Sequence, residues 1–76
     1  MPKLPVIKVR VLVRTIERLG FFLHHQVGGH AQYKHADGRR ITIPVHYRKD
    51  VKQKMLRGII ADLGISAERF IEVMKK

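Results

Sequence analysis

The chain has 76 residues, no cysteine, and a formal net charge of +10 from 16 Lys and Arg against 6 Asp and Glu. A chain of this length is expected to form one domain, residues 1–76, and the lack of cysteine excludes disulfides and thiolate metal sites. No stretch is apolar for long enough to form a signal peptide or to cross a bilayer, so a cytoplasmic protein is expected. The excess of positive charge favours a nucleic acid over a membrane surface as partner.

The first predicted element is a helix over residues 5–19. Pro5 suits a first helical turn, and Gly20 suits the position just after a helix. Apolar residues recur at helical spacing and form one stripe, made of Val9, Leu12, Val13, Ile16 and Leu19. Arginines at four-residue intervals lie on another face, which is typical of a solvated surface: Arg10, Arg14 and Arg18.

Three strands are predicted next, over residues 21–26, 30–35 and 40–45, because the polar and apolar side chains begin to alternate. The last two strands each turn their apolar side chains to one face, namely Ala31, Tyr33, Ile41, Ile43 and Val45. Their other face is polar and cationic, and carries His30, Gln32, Lys34, Arg40 and Thr42.

Glycine and proline mark how these strands connect. Gly28-Gly29 separates the first two strands, and Asp37-Gly38 predicts a tight hairpin turn between the last two, since glycine tolerates a positive φ. Pro44 lacks a backbone N–H and is therefore expected on an edge strand of the sheet. These signals predict a three-stranded antiparallel meander.

Two helices are predicted in the last third of the chain. The first follows Asp50, which has Gln53 three residues on and so resembles a capping box. It ends at Gly64, and Gly58 in its middle suggests close packing against a neighbour. Ser66 is the expected cap of a short C-terminal helix. The fold class predicted is therefore α+β in the order α-β-β-β-α plus a C-terminal helix, with the helices on one face of the sheet.

Five histidines are the first candidates for chemistry: His24, His25, His30, His35 and His46. Their spacing fits no known zinc site and the carboxylates are scattered, so no metal and no other cofactor is predicted. Ser66 is the only serine, which argues against a serine triad.

His30 has the most suggestive setting among the five. It follows Gly28-Gly29, where the backbone can turn sharply, and shares a strand face with Lys34 and Arg40. Imidazole, with an ordinary pKa of about 6.5, can exchange a proton at neutral pH. RNA cleavage needs a base for the 2′-hydroxyl proton and cations for the charge that develops on the phosphate. A surface histidine at the start of a strand explains the same pattern, and composition alone favours that reading.

A resemblance to a known family alters this balance. The segments Gly28-Gly29-His30, Asp37-Gly38-Arg39 and Pro44-Val45-His46 are similar to the core of the HicA toxin family. Similarity also covers Leu19-Gly20-Phe21 and Gly64-Ile65-Ser66, so it extends over nearly the whole chain. Each motif is short, and the order and spacing of the set make the resemblance specific.

The resemblance implies a fold like that of the double-stranded-RNA-binding domain and a function as an mRNA interferase. The family's toxins cleave mRNA and are silenced by an antitoxin, HicB, encoded beside them. The family's catalytic histidine lies in a Gly-Ser-His motif, which Gly28-Gly29-His30 matches with Gly29 in place of serine. His46 matches the histidine of the family's Pro-x-His segment, for which the resemblance implies a structural or RNA-contacting role. No second proton-transfer group is obvious beside His30, and His46 is a candidate for it.

Three functions are therefore compared. The first is a metal-independent endoribonuclease toxin in which His30 is the general acid or base, Gly28 and Gly29 support its loop, and Lys34, Arg39, Arg40 and His46 bind RNA. Its partners would be mRNA and a HicB-type antitoxin, with no membrane and no small-molecule cofactor. The second is a non-catalytic RNA-binding module of the same fold, because phosphate attraction does not report on cleavage. The third is a protein-interaction subunit whose positive charge binds an acidic partner protein.

Overall fold

A computed structural model describes residues 3–44 and 50–76. Its elements, in chain order, are β1 (Ile7–Lys8), α1 (Val9–Arg18), β2 (Phe22–Val27), β3 (His30–Lys34), β4 (Arg40–Pro44), β5 (Asp50–Val51), α2 (Gln53–Leu63) and α3 (Ala67–Met74). Strands β2, β3 and β4 form an antiparallel sheet with β3 in the centre, while β1 pairs with β5 in a separate two-stranded sheet. The predicted α+β fold with helices, a three-stranded antiparallel sheet and a C-terminal helix is confirmed.

The start of the first helix was predicted wrongly. Helix α1 begins at Val9 rather than at Pro5, because Ile7 and Lys8 are extended and pair with Val51 and Asp50. This pairing joins residues that are far apart in sequence, so helical periodicity cannot report it. The predicted stripe is largely right, since the buried residues of the helix are Val9, Leu12, Thr15 and Ile16.

The start of the second long helix also differs from the prediction. Asp50 lies in β5 and its carboxylate forms an ion pair with Lys8, with 2.6 Å between Nζ and Oδ1. The cap position of α2 is Lys52, which makes no side-chain cap, so the predicted capping box is wrong. The Gln53 side chain instead donates to the carbonyl of Leu4 at 2.7 Å and ties the N-terminal segment to α2.

The other end signals are confirmed. Gly64 ends α2 in the left-handed conformation, with φ of 72°. The Ser66 hydroxyl accepts a hydrogen bond from the backbone N–H of Arg69 at 3.0 Å, as expected of a helix cap. Gly38 has a φ of 99° in the turn between β3 and β4, and Pro44 lies on β4, an edge strand.

The core lies between the helices and one face of the sheet. Alternate residues of β3 and β4 are buried there, namely Ala31, Tyr33, Ile41 and Ile43. They join one apolar cluster with residues of all three helices, including Leu12, Ile16, Leu56, Leu63 and Phe70. Strand β2 differs, because all six of its residues are exposed. The face of the sheet that points away from the helices is therefore accessible to solvent.

Replacing either of two glycines with alanine should change the stability in opposite directions. A Cβ built on Gly58 meets nothing within 4 Å, so the expected close packing there is wrong. Gly58→Ala should raise the free energy of unfolding by about 0.5–1 kcal/mol, because alanine is the better helix former. Gly20 has a φ of 98°, and a Cβ there would lie 2.8 Å from His35 Nε2. Gly20→Ala should lower the same free energy by about 1–3 kcal/mol.

Urea denaturation of both variants beside the wild type measures these changes, because the midpoint shift at constant slope reports stability. A Gly20→Ala protein as stable as the wild type would contradict the contact between Gly20 and His35.

Candidate nucleic-acid interface

The side of the three-stranded sheet that faces away from the core forms a continuous surface, which we call the open face. The strand register aligns its residues in three rows of directly paired positions: Phe22, Lys34 and Arg40, then His25, Gln32 and Thr42, then Val27, His30 and Pro44. None of these nine side chains is buried, and only Lys34 and Pro44 are half-buried. The open face thus combines imidazole, cationic, amide and apolar groups without a carboxylate.

His30 lies at one end of this face, at the first position of the central strand. It is exposed, and its direct cross-strand neighbours are Val27 on β2 and Pro44 on β4. No residue in 3–44 or 50–76 forms a hydrogen bond with its imidazole. The ring is therefore open to a substrate on the described part of the surface.

The turn before His30 depends on glycine. Val27 and His30 are paired, so Gly28 and Gly29 are the two central residues of a hairpin turn. Gly28 has a φ of 57°, whereas Gly29 has no positive φ. A positive φ at the first central position only is the pattern of a type II′ turn, which requires glycine there. The loop-supporting role of Gly28 stays a prediction, and the structure places this glycine at a turn position that favours it.

Lys34 and Arg40 lie at the other end of the open face, directly opposite each other on β3 and β4. Lys34 follows His30 by four residues on the same strand, which places their Cα atoms about 13 Å apart at about 3.3 Å per residue. Neither cation forms an ion pair within the described residues. Both charges are therefore available to an anionic ligand, at a distance from the imidazole.

Arg39 is placed differently from the other predicted RNA-binding residues. Its Nε donates to Asp37 Oδ2 at 2.8 Å, its Nη1 donates to the carbonyl of Leu63 at the end of α2, and its guanidinium lies 5.2 Å from the Phe21 ring centre. The side chain fixes the turn between β3 and β4 onto the helices. Two sequence signals could have shown this: Arg39 adjoins Arg40 and so points to the opposite face, and Asp37 lies two residues before it.

Asp37 organises the same turn. The hydrogen bond from the backbone N–H of Arg39 lowers the pKa of the Asp37 carboxyl, and the charges of Arg39 and His35 act in the same direction. His35 Nδ1 accepts from the backbone N–H of Asp37 at 3.1 Å and also lies 3.1 Å from Asp37 Oδ1. The His35 ring packs edge-on against Phe21 at 5.0 Å.

The remaining predicted contact, His46, lies outside the described residues. In the described ranges, no three His, Asp or Glu side chains are grouped as a metal ion would require.

Sequence reasoning assigned no role to His25, which the register brings onto the open face. The sequence does not show which face His25 occupies, because β2 has no buried residue and so lacks an alternation of buried and exposed positions.

The chain matches a known protein family. The family model described as HicA toxin of bacterial toxin–antitoxin matches residues 9–65, a span that includes the whole three-stranded sheet and both of its turns. The chain belongs to the HicA toxin family. This confirms the resemblance seen in the sequence motifs, and HicA toxins are RNase-type toxins of bacterial toxin–antitoxin systems. A comparison with curated proteins gives no match.

The family match covers the middle of the chain and leaves residues 1–8 and 66–76 unmatched. The open face lies within the matched residues, whereas β1 (Ile7–Lys8) precedes them and α3 (Ala67–Met74) follows them. Among the residues that the structure describes, no helix has the length and apolar character needed to traverse a membrane.

Proposed function

We propose that this HicA-family protein is an mRNA interferase in which His30 acts as general acid or base during RNA cleavage. The observation that carries the proposal is the exposed imidazole of His30, held directly after the Gly28 turn on a sheet face without carboxylates. Such a ring can approach the sugar and the phosphate of a bound strand. Family membership supports RNA as the substrate.

The cations at the far end of the face have a separate role in this proposal. Lys34 and Arg40 hold the phosphates of the same strand, one or more nucleotides away from the bond that breaks, since about 13 Å separates them from His30. Arg39 supports the hairpin turn, because Asp37, Leu63 and Phe21 already engage its guanidinium. His46 remains a proposed RNA contact on the strength of the family motif alone.

The reaction is a transfer of the phosphate from one oxygen to another within the RNA. A base takes the proton of a 2′-hydroxyl, the 2′-oxygen bonds to the adjacent phosphorus, and the bond from phosphorus to the 5′-oxygen breaks. The leaving oxygen takes a proton. The products are a 2′,3′-cyclic phosphate and a 5′-hydroxyl, and positive charge near the phosphate stabilises the charge that develops on its oxygens.

A HicB-type antitoxin is the proposed protein partner. The chain carries a net charge of +10, so an antitoxin with an acidic surface would be steered towards it. By covering the open face, such a protein would exclude RNA from His30.

Growth of bacteria that express the protein tests the proposal together with cleavage by the purified protein. We expect wild-type expression to stop growth and His30→Ala expression not to. Purified wild type should cut RNA in the presence of a chelator, since the proposal needs no metal. Salt-dependent RNA binding without cleavage would instead select a non-catalytic RNA-binding module.

The phosphate contacts predict a change in salt dependence. The affinity for single-stranded RNA falls with salt at a logarithmic slope of about 0.7 per phosphate contact. The double variant Lys34→Ala/Arg40→Ala should therefore bind with a slope that is shallower by about 1.4. Fluorescence anisotropy between about 50 and about 200 mM salt measures the slope.

The matched control removes two charges from another surface. Arg10 and Arg14 are exposed on α1, so Arg10→Ala/Arg14→Ala changes the net charge equally without touching the open face. An equal change of slope in both double variants would mean that net charge, and not the open face, determines binding.

A further inference from the structure

We infer that His25 is the second proton-transfer group of this site, paired with His30 on the open face. The inference rests on the proposed function, because it concerns the same cleavage reaction. It assigns a role to a histidine that the sequence pattern alone leaves without one.

A bulge in β2 places His25 on this face. Leu23 pairs with Tyr33, but the next pair is His25 with Gln32, so His24 is an extra residue without a partner in the register. Without this shift His25 would pair with Ala31 and point towards the core side. With it, His25 shares the exposed face of Gln32, and a bulge of this kind redirects a side chain towards a site.

The register also makes His25 and His30 diagonal neighbours. Val27 pairs with His30 and His25 pairs with Gln32, so the two histidines are offset by two positions on adjacent strands. Residues in this relation lie about 7–8 Å apart, within reach of each other's side chains. Both side chains are exposed. A phosphodiester bound between the two rings can therefore contact both.

The chemistry needs two such groups. One group removes the proton of the 2′-hydroxyl while another protonates the leaving 5′-oxygen, and each must be within hydrogen-bond reach of its atom. Among the residues that the structure describes, the other neighbours of His30 on the open face are Val27, Gln32, Thr42 and Pro44, none of which exchanges a proton near neutral pH.

The pair completes the proton balance of the step. The neutral imidazole of one histidine gains the 2′-hydroxyl proton as the bond from oxygen to phosphorus forms. The protonated imidazole of the other gives its proton to the 5′-oxygen as that bond breaks. Within residues 3–44 and 50–76, the charged and titratable groups around His25 are His24 on its own strand, His30 and Lys34 on β3, and Arg40 on β4. The rate should therefore depend on pH as a bell-shaped curve, because one histidine must be neutral and the other protonated.

Two substitutions of His25 separate proton transfer from simple charge. Single-turnover cleavage at saturating RNA is measured from about pH 5 to about pH 9 for wild type, His25→Ala and His25→Arg. Arginine retains a positive charge but does not exchange a proton in this range. We expect both variants to cleave about 10²–10⁴-fold more slowly and to lose one limb of the pH curve.

His24→Ala is the matched control, because it removes the neighbouring exposed histidine. It should cleave within about threefold of the wild-type rate, and thermal unfolding should show that all three variants fold, as expected of exposed sites. An RNA affinity within about threefold of wild type for His25→Ala would place the loss in the chemical step.

Near wild-type cleavage by His25→Arg would overturn the inference and leave His25 as a phosphate contact. In that case the proposed function still stands if His30→Ala is inactive. A folded wild type that does not cleave RNA would overturn the proposed function and this inference together.

Discussion

Replacing His30 with alanine should slow RNA cleavage by the purified protein by about 10²–10⁴-fold, the contribution usual for one group that transfers a proton. The imidazole is exposed on the central strand and bonds to no residue in the described ranges, so its removal should not disturb the fold. Single-turnover kinetics at saturating RNA measure the effect on the chemical step.

The affinity for RNA provides the control for this variant. Lys34 and Arg40 remain in place at the other end of the open face, and binding should therefore stay within about threefold of wild type. An unchanged rate in His30→Ala would contradict the catalytic role. A parallel loss of rate and affinity would instead make His30 a binding residue.

Phe70→Ala should lower the free energy of unfolding by about 3–5 kcal/mol, the usual cost of removing a buried phenyl ring. Phe70 is 0% exposed in α3, and its ring joins the cluster that also holds Leu12, Leu56 and Leu63. A domain of this size has a total stability of the order of 5–10 kcal/mol, so the variant should be close to unfolding. Urea denaturation monitored by circular dichroism measures the loss.

Met55→Ala is the comparison for this prediction. Met55 is 46% exposed on α2, and alanine suits a helix, so its stability should stay within about 0.5 kcal/mol of wild type. Because α3 follows the residues that match the family, the Phe70→Ala result also reports whether the unmatched C-terminal residues are part of the folded core. A small effect of Phe70→Ala would show that α3 contributes little.

The sheet was predictable where one side of a strand is buried. Ala31, Tyr33, Ile41 and Ile43 alternate with exposed residues, so the sequence pattern indicated both strands and the face that carries His30. The ends of the helices at Gly64 and Ser66 were also predictable, since local hydrogen bonds determine them.

The errors come from contacts between residues far apart in sequence. Asp50 is a residue type that often caps a helix, but its carboxylate pairs with Lys8 instead. Because β1 pairs with β5, both α1 and α2 begin later in the chain than predicted. No local pattern contains this information, because capping motifs describe only neighbouring residues.

The candidate site was predictable in part for the same reason. Lys34 and Arg40 belong to strands in which buried and exposed residues clearly alternate. His25 belongs to a fully exposed strand, and the bulge before it moves its side chain to the opposite face. Arg39 carries the same charge as Arg40 but points to the opposite face of the sheet. Its role in fixing the turn is visible only from its tertiary contact with Leu63. Charge identifies candidate RNA contacts, and the register decides which of them reach one surface.

The chemical ends of the cleaved RNA test the role of the imidazole most directly. A defined RNA is incubated with wild-type protein, and both fragments at the cut are analysed by mass spectrometry. If an imidazole on the open face removes the 2′-hydroxyl proton, the upstream fragment should end in a 2′,3′-cyclic phosphate and the downstream fragment should begin with a 5′-hydroxyl. A 3′-hydroxyl and a 5′-phosphate would contradict attack by the 2′-oxygen.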